Sequence, residues 1–373
     1  MMNDAAIPAM SGPIVIAAGG TGGHFFPAEA LAAELIARGE RVVLMTDARS
    51  GGLNSPVFAQ TEKHVLSGAG LAGRGMQRAA KAALALGQGV VQARGIMSGL
   101  RPAAVVAFGG YPSVPPVLAA ASLGGKKPLV VLHEQNGVLG RANRFLSRFA
   151  NILALNFANT MRLPGKIETI AVGNPVRPAV AALAGQGYAP PGEVIALLVL
   201  GGSLGAKIFS TLVPEALTML PEALRARLHV TQQVRKDDLE TVRAAYEATG
   251  IDAELSPFFA DVAALLARAH LVISRAGASS VAEIAIAGRP AIFIPLPGAI
   301  DDHQRANADA LAAFGAALRL DQHGLTPAIL AEKIETLLMN PESLVKAADA
   351  AAQLGQPQAA ARLADLVQER MAA

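Results

Sequence analysis

Cysteine and tryptophan are absent from this 373-residue sequence, and aromatic residues of all kinds make up 4% of it. Without cysteine the chain can form neither a disulfide framework nor a thiolate metal site. Hydrophobic residues make up 52% and charged residues 16%, which excludes a disordered chain and predicts large buried cores. At this length two domains are expected.

Targeting and membrane-spanning signals are also scarce. An acidic residue and no Lys or Arg precede the first apolar run, so no secretory signal peptide is expected. The uncharged stretch 102–125 is long enough to span a membrane, but Pro112, Pro115 and Pro116 interrupt it. We therefore expect a buried strand, a tight turn and a helix there, in a soluble chain.

Acidic residues are missing from the segment 63–133. The same segment carries eight cations: Lys63, Arg74, Arg78, Lys81, Arg94, Arg101, Lys126 and Lys127. Apolar residues lie between the cations, most densely over 73–102, and such a pattern indicates an anionic partner. For 73–102 the two interpretations are a surface against anionic lipid headgroups and a helix whose apolar face belongs to the core.

Apolar runs without polar alternation recur along the chain, as in parallel strands buried on both faces. These runs cover 14–18, 41–46, 104–108, 129–133, 151–155, 194–200, 227–231, 269–274, 290–296 and 315–320. Helix-length segments separate them; the segment 27–39 predicts a helix with a Glu34–Arg38 pair that ends at Gly39. The sequence therefore predicts doubly wound α/β architecture.

Proline- and glycine-rich segments near 172–193 interrupt this alternation, and the strand–helix pattern then restarts. We expect two domains, 1–172 and 173–355. A helix at about 356–373 is expected, by analogy with two-domain folds of this type, to return to the first domain.

Glycine-rich loops follow the first strand of each half, at Gly19–Gly23 and at Gly201–Gly205. Such loops bend tightly and expose the amides of the next helix to phosphate; close strand–helix packing is the alternative explanation. Neither loop contains Gly-Lys-Ser/Thr, so a P-loop is excluded. Phe25 stands where a dinucleotide fingerprint needs a small residue, although Asp47 would suit a ribose.

His24 lies in the first turn after the first loop. The positive end of the helix dipole disfavours a proton on its ring, which makes a neutral imidazole a candidate general base. The alternative is a histidine at a helix start that bonds to a backbone group.

Further polar segments stand where core is expected. One contains His133, Glu134, Gln135 and Asn136 at the end of a predicted strand, where open α/β sheets hold ligands. Ser280 and Glu283 fit either ribose binding or a capping box. Arg177, between two prolines, fits either a diphosphate contact or a solvated side chain. No Asp-x-Asp pair occurs, and we predict no protein-held metal.

Seven motifs, in order, resemble the MurG family of glycosyltransferases, glycosyltransferase family 28. They are GGTGGH (19–24), GGYPS (109–113), HEQN (133–136), GNPVR (173–177), GGSLGA (201–206), SRAGASSVAE (274–283) and DDHQRANA (301–308). The resemblance implies the α/β GT-B fold, in which two Rossmann-like doubly wound domains face each other across a cleft. The segment 67–75 is longer than the family's usual Ser-Gly-Leu-Arg-Gly-Lys-Gly, with Arg74 retained.

The resemblance implies an inverting hexosyltransferase. Such an enzyme moves N-acetylglucosamine from UDP-N-acetylglucosamine to the 4-hydroxyl of the muramoyl sugar of undecaprenyl-diphosphoryl-N-acetylmuramoyl-pentapeptide (lipid I). The product, lipid II, is used for peptidoglycan, and thus for cell shape and division. The first domain would receive the acceptor and the second domain the donor.

Site residues follow from the same resemblance. The acceptor diphosphate is expected at Gly20, Thr21, Gly22, Gly23 and His24. The donor is expected at Thr21, Gly22, Gly23, Asn136, Arg177, Ser203, Phe259, Ala278, Ser279, Ser280, Val281, Ala282, Glu283, His303 and Gln304. Within this set Glu283 would bind the ribose, Phe259 would lie near the uracil and Arg177 would contact the phosphates. His24 is the first candidate for the base and Glu134 the second.

Expected partners are UDP-N-acetylglucosamine, lipid I and the anionic surface of the inner membrane, with the protein peripheral on its cytoplasmic face. Division or cell-wall complexes are possible protein partners; no nucleic acid and no cofactor are expected. Three alternatives remain at the level of sequence: a UDP-N-acetylglucosamine 2-epimerase-like isomerase, a nicotinamide oxidoreductase, and a non-catalytic nucleotide-sugar binder.

Overall fold

The computed structural model describes residues 12–48, 55–67, 76–202 and 205–373, without the side chains of 76–80 and 300. It divides into two compact units. Unit 1 comprises Met1–Gln135, Leu139–Pro175 and Ala359–Ala373, and unit 2 comprises Asn136–Val138 and Val176–Gln358. The C-terminal helix therefore belongs with the first half of the chain.

Unit 1 contains one parallel sheet and its crossover helices. Its strands in the described part are β1 (Ile14–Ala17), β2 (Val42–Asp47), β3 (Glu62–Leu66), β4 (Ala104–Ala107), β5 (Leu129–Glu134), β6 (Ile152–Leu155) and β7 (Glu168–Ala171). Its helices there are α1 (Gly22–Ala37), α2 (Met76–Leu100), α3 (Val114–Ser122), α4 (Arg141–Leu146) and α14 (Ala359–Ala372), with short 3-10 turns at Phe58–Gln60, Tyr111–Ser113 and Ser147–Phe149.

Unit 2 repeats this architecture. Its strands in the described part are β8 (Ile195–Leu200), β9 (Leu228–Gln233), β10 (Asp252–Ser256), β11 (Leu271–Ser274), β12 (Ala291–Phe293) and β13 (Ala317–Arg319). Its helices there are α5 (Pro178–Ala181), α6 (Phe209–Thr218), α7 (Glu222–Arg225), α8 (Leu239–Glu247), α9 (Val262–Arg268), α10 (Ala278–Ile286), α11 (His303–Ala312), α12 (Pro327–Leu338) and α13 (Pro341–Leu354), with 3-10 turns at Lys236–Asp238 and Ile300–Asp302.

Strand order is the same in both units for the first six described strands of each, and unit 1 adds β7 at one edge. The described strands run β3-β2-β1-β4-β5-β6-β7 in unit 1 and β10-β9-β8-β11-β12-β13 in unit 2, with every pairing parallel. Each first strand lies between the second and the fourth, so the chain winds in one direction and then in the other. This is the doubly wound order, and it confirms the predicted α/β class.

The central strands are the apolar runs found in the sequence, and β1 and β4 are fully buried. Three strands were not predicted: β3 (EKHVL), β7 (ETIA) and β10 (DAELS). Each lies at a sheet edge, and most of their residues are exposed or half-buried. An edge strand therefore does not need the continuous apolar run that marks a central one.

The predicted first helix starts earlier than its sequence suggested. α1 begins at Gly22 and contains Pro27, so it extends beyond the helical segment 27–39, and it includes His24 in its first turn as predicted. The predicted end is confirmed, because Gly39 has φ +84° and the Arg38 Nε atom lies 2.8 Å from Glu34 Oε1. Arg38 also reaches Asp365 of α14, with its Nη1 2.6 Å from Oδ1, while Leu363 and Val367 share a core cluster with Leu31.

The segment 102–125 forms β4, a 3-10 turn and α3, as expected from its prolines. Among the described residues, no helix has both the length and the apolar character required to cross a bilayer.

Candidate active site

The loops after β1 and β4 flank the point in the unit 1 sheet where the winding reverses. In open α/β sheets, ligands bind at the carboxyl ends of the strands at this point. Gly20 has φ +83°, and Gly109 and Gly110 have φ +82° and +69°. These left-handed conformations favour glycine, which explains why both GGTGGH and GGYPS are glycine-rich.

The first loop leads directly into α1, whose N-cap is Thr21. A Cβ on Gly22 would lie 2.8 Å from the Phe26 ring, so packing explains this glycine. A Cβ on Gly23 would lie 3.8 Å from its nearest neighbour, Thr21 Oγ1. Packing therefore does not explain the glycine at position 23. The first-turn amides of a helix have no intrahelical partners, and they suit an anion.

His24 joins the two glycine loops. Its Nδ1 lies 3.1 Å from Thr21 Oγ1. A Cβ on Gly110 would lie 3.7 Å from His24 Cε1, so the imidazole packs against the backbone of the second loop. The candidate base therefore lies at the reversal point, in contact with both glycine loops.

Behind these loops lies a buried polar network around His133. Its Nε2 lies 2.9 Å from the Gly173 carbonyl oxygen, and Gln135 Nε2 lies 3.0 Å from its Nδ1. A carbonyl accepts only, so Nε2 carries the proton and Nδ1 accepts from the amide. Burial lowers the pKa of His133 from 6.5 to about 4, against an opposing effect of the Gly173 carbonyl. His133 is therefore a neutral structural residue.

Glu134 also belongs to this network. Its Oε2 accepts hydrogen bonds from the Gly140 amide at 3.0 Å and from Asn143 Nδ2 at 2.9 Å. Gly140 is the N-cap of α4, so the carboxylate stabilises the start of that helix. Glu134 is 2% exposed.

Unit 2 has an equivalent pair of loops, after β8 and β11, at its own reversal point. Gly202 and Gly205 have φ +79° and +67°. A Cβ on Gly201 would lie 2.5 Å from the Ala206 nitrogen, so this position accepts only glycine without a backbone shift. Ser203, predicted to bind the donor, lies outside the described residues.

The second of these loops begins α10. Its N-cap is Gly277, without a side-chain capping bond. The capping box considered for Ser280 and Glu283 is therefore wrong, because Ser280 already lies inside the helix. The other predicted donor contacts here, Ala278, Ser279, Val281 and Ala282, also lie on α10. The buried Ser279 Oγ has no hydrogen-bond partner among the described residues.

Glu283 and Arg177 meet at this helix. Their closest charged atoms, Glu283 Oε1 and Arg177 Nη2, are 3.6 Å apart, and the Glu283 side chain is 13% exposed. Burial raises the pKa of Glu283, and the Arg177 guanidinium partly offsets this shift. Two residues predicted to bind different parts of the donor thus lie side by side.

Asn136 is held within unit 2 by Asn307, an α11 residue that is fully buried. Asn307 Nδ2 donates to Asn136 Oδ1 at 3.1 Å and to the Ala276 carbonyl at 3.0 Å, and its Oδ1 accepts from the Gly137 amide at 2.8 Å. Asn136 is therefore fixed beside the β11–α10 turn.

The remaining predicted donor residues follow other strands of the same sheet. His303 and Gln304 open α11, and Gln304 Oε1 accepts from the Leu296 amide at 2.9 Å. Phe259 follows β10 and is half-buried. Because all described strands are parallel, their carboxyl ends lie at one edge of the unit 2 sheet.

Two residues within the quoted motifs, Asn307 and Arg275, and one outside them, Asn143, have roles that the sequence did not indicate. Asn307 bridges two segments, Asn143 binds Glu134, and Arg275 donates to the Ile294 and Pro295 carbonyl oxygens at 2.8 and 3.1 Å. Each is a polar side chain buried in a loop or helix. Burial was the missing signal, since a polar residue in such a segment is exposed by default.

No group of three or more His, Asp or Glu side chains in the described part of the chain is arranged to hold a metal.

Family profiles match both units. The glycosyltransferase family 28 N-terminal domain matches residues 14–154, and the family's C-terminal domain matches residues 196–363. The chain belongs to glycosyltransferase family 28. The resemblance to MurG is confirmed by the sequence of a relative from Granulibacter bethesdensis. This relative is named UDP-N-acetylglucosamine–N-acetylmuramyl-(pentapeptide) pyrophosphoryl-undecaprenol N-acetylglucosamine transferase. It is 59% identical over 96% of this chain and 94% of its own length.

Solved structures agree on the fold. A crystal structure of Acinetobacter baumannii MurG matches with a TM-score of 0.75 and 32% identity, over 96% of this chain and 99% of that chain. A putative UDP-N-acetylglucosamine 2-epimerase from Listeria monocytogenes matches with a TM-score of 0.69 over 96% of both chains, but at 16% identity. The second likeness shows the fold alone. This family 28 chain therefore has the predicted GT-B-type pair of Rossmann-like units.

The buried neutral state of His133 predicts a pH-dependent stability. Because the pKa is about 4 in the folded state and 6.5 ordinarily, the unfolded chain binds the proton first as pH falls from 6.5 towards 4. The contribution of His133 to the free energy of unfolding is therefore present above pH 6.5 and is lost as the pH falls from 6.5 to about 4. Between pH 7 and pH 5 we expect a loss of roughly 2 kcal/mol.

Urea unfolding at these two pH values measures the effect. His133→Gln should reduce the pH dependence by that amount, because an amide does not titrate. His323→Gln, at an exposed histidine, is the matched control and should leave the pH dependence unchanged. An unaltered pH dependence in His133→Gln would contradict the assignment.

Proposed function

We propose that this chain transfers N-acetylglucosamine from UDP-N-acetylglucosamine to the 4-hydroxyl of the muramoyl sugar in lipid I, forming lipid II. The observation that carries the proposal is the 59% identity, over 96% of the chain, to the Granulibacter transferase named for this reaction. The 2-epimerase alternative is not favoured, because the epimerase likeness is limited to 16% identity.

Unit 2 is the proposed donor domain. A diphosphate needs exposed amides and a cation, and the β8 loop, the start of α10 and Arg177 provide them at one sheet edge. Glu283 would accept hydrogen bonds from the ribose hydroxyls, with its carboxylate already oriented by Arg177. Ser279 Oγ, buried without a protein partner in the described chain, would gain a partner from the donor. Phe259 would lie beside the uracil.

Unit 1 is the proposed acceptor domain. The Gly20–His24 loop and the Gly109–Gly110 loop place backbone amides around the reversal point, and these amides would hold the acceptor diphosphate. We place the general base here, because His24 contacts both loops and would lie beside the sugar next to that diphosphate.

In the proposed step the 4-hydroxyl oxygen attacks the anomeric carbon, the carbon–oxygen bond to the diphosphate breaks, and UDP leaves with the bonding electrons. His24 takes the hydroxyl proton at Nε2. This requires Nδ1 to carry the other proton and to donate a hydrogen bond to Thr21 Oγ1, which lies 3.1 Å away. In this tautomer Thr21 orients the imidazole. Helix N-termini and Arg177 stabilise the departing diphosphate.

Glu134 remains the second candidate for the base. Glu134 Oε2 accepts hydrogen bonds from Gly140 and Asn143. We therefore place Glu134 behind the reacting groups, where it orders the loop that precedes α4.

The membrane surface is the proposed location, on the cytoplasmic face, with unit 1 in contact. Ala82, Ala93 and Met97 of α2 are buried, so one face of this helix belongs to the core. Leu84 and Val91, seven positions apart on another face, are 66% and 72% exposed. Exposed apolar side chains beside Lys81 suit the interface of an anionic bilayer.

Arg74 lies outside the described residues, as does the side chain of Arg78. Partners in cell-wall or division complexes belong to the same proposal.

The reaction is tested by incubating the protein with UDP-N-acetylglucosamine, with and without a short-chain lipid I analogue. We expect UDP release that requires the acceptor, together with a disaccharide product. N-acetylmannosamine products without acceptor would support the epimerase instead. An absorbance change with NAD would support the oxidoreductase, and binding without turnover would support the non-catalytic binder.

His24→Asn should lower kcat by about 10²- to 10⁴-fold, the usual contribution of a general base, and should leave the affinity for UDP-N-acetylglucosamine nearly unchanged. Thr21→Val should give a smaller loss in kcat, because the base remains but loses the hydrogen bond that orients its ring. Steady-state kinetics and donor titration provide both quantities. Glu134→Gln is the comparison: a larger loss of kcat there than in His24→Asn would move the base to Glu134.

Replacing both Leu84 and Val91 with Ser should weaken flotation with vesicles that contain phosphatidylglycerol, because the apolar contact is lost. In the matched control, Ser replaces Val194 and Met219 of unit 2, which are each 57% exposed. Turnover of a water-soluble acceptor analogue should be unchanged in both proteins. Equal flotation of the two variants would remove α2 from the membrane contact.

A further inference from the structure

Two consecutive glutamines, Gln232 and Gln233, end strand β9 of unit 2. They lie at the carboxyl edge of the sheet, and none of the seven family motifs contains them. Successive side chains of a strand point to opposite faces of the sheet. Gln232 is fully buried and Gln233 is half-buried, so the pair places one amide group on each side of the sheet.

Gln232 belongs to the core of unit 2. Its Nε2 donates to the Phe209 carbonyl oxygen at 2.9 Å, and its Oε1 accepts from the Tyr246 hydroxyl at 2.5 Å. Phe209 begins α6, and Tyr246 lies on α8. Both of these partners belong to the helices packed on the sheet, so this glutamine stabilises the fold.

Gln233 reaches the loops on both sides of β9. Its Oε1 accepts a hydrogen bond from the Gly201 amide at 3.1 Å, and its Nε2 donates to the Pro257 carbonyl oxygen at 3.2 Å. Gly201 directly follows β8, and Pro257 directly follows β10. β9 lies between these two strands and pairs with both. One side chain of the middle strand therefore bridges two loops whose own strands do not pair with each other.

The two partners determine which side chain suits position 233. A backbone amide only donates and a carbonyl oxygen only accepts, so the bridging side chain needs one acceptor and one donor. Glutamine provides both on a single planar group. Glutamate has no donor for the Pro257 carbonyl, and methionine, which has a similar length, has no donor and only a weak acceptor.

Both bridged loops belong to the proposed donor site. Gly201 begins the glycine loop that is proposed for the diphosphate, and Pro257 precedes Phe259, which is proposed to lie beside the uracil. Loops on either side of a strand are two strand spacings apart, about 10 Å. A nucleoside diphosphate can span this distance, with its base at one loop and its phosphates at the other.

We propose that Gln233 is a positioning residue that fixes the distance between the diphosphate loop and the uracil loop, and so favours a ligand that carries both groups. Loops held in place before binding do not have to be ordered by the ligand, which strengthens binding. Gln233 acts through Gly201 and Pro257 and does not itself contact the donor. The inference rests on the proposed function, because it takes the uridine diphosphate part of the donor as the ligand.

The test compares Gln233→Met with two control variants of the full chain. Gln232→Met removes the neighbouring amide group, and Gln186→Met removes an exposed one in the same unit. Thermal unfolding establishes that each variant is folded at the assay temperature. Gln232→Met should unfold at a lower temperature than the other two, because it leaves the buried Tyr246 hydroxyl without its acceptor.

Calorimetric titration with UDP, uridine and pyrophosphate measures the positioning. UDP spans both loops, whereas uridine and pyrophosphate each occupy one of them. Gln233→Met should bind UDP roughly tenfold or more weakly, and this loss should exceed the product of its losses for the two fragments. The two controls should show no such excess. In steady-state transfer, Gln233→Met should raise KM for UDP-N-acetylglucosamine by a similar factor and leave kcat nearly unchanged.

Equal UDP affinity in Gln233→Met and the unmodified protein would overturn the inference and leave the transferase assignment in place. A loss that the two fragments account for fully would do the same. A comparable excess in Gln232→Met would also overturn it, because the effect would then come from packing behind the loops. If the unmodified protein does not bind UDP at all, the proposed function is wrong and this inference fails with it.

Discussion

Parallel pairing of strands buried on both faces is the constraint on which the rest of this structure depends. A parallel pair cannot close with a hairpin, so each strand is followed by a crossover that returns to the starting edge. All described loops that follow strands in one unit therefore meet at one edge of its sheet. Where the strand order reverses, the loops that follow two neighbouring strands lead in opposite directions. A ligand can approach the backbone in the crevice between these two loops. Both units use this position for their glycine loops.

Polar groups behind those loops hold them in place. In unit 1 the neutral His133 ring connects Gln135 to the Gly173 carbonyl, and Glu134 connects Asn143 to Gly140. In unit 2 Asn307 has the corresponding function for Gly137 and Ala276. Such buried groups are stabilising only when they are hydrogen-bonded. The predicted catalytic and binding side chains thus rest on a backbone that side-chain hydrogen bonds fix from behind.

The two edges of the unit 1 sheet have different chemistry. At the carboxyl edge lie the two glycine loops and the His24 imidazole, where we propose that the acceptor diphosphate binds. At the amino edge, four cations without described salt bridges line a partly apolar pocket: Arg101, Lys126, Lys127 and Arg148. The acid-free segment 63–133 contributes to both the exposed face of α2 and this pocket.

The sequence by itself determined the α/β class, the central strands, the duplicated glycine loops and the family, because continuous apolar runs and glycine motifs are local properties. It did not identify β3, β7 and β10, since edge strands are half-exposed and carry polar residues. The tertiary structure alone decided that Glu283 pairs with Arg177, about a hundred positions away, and that His24 packs against Gly110. It also decided that Ser280 lies inside α10 and caps nothing. These facts depend on which distant segments the sheets bring together, and no local pattern records that.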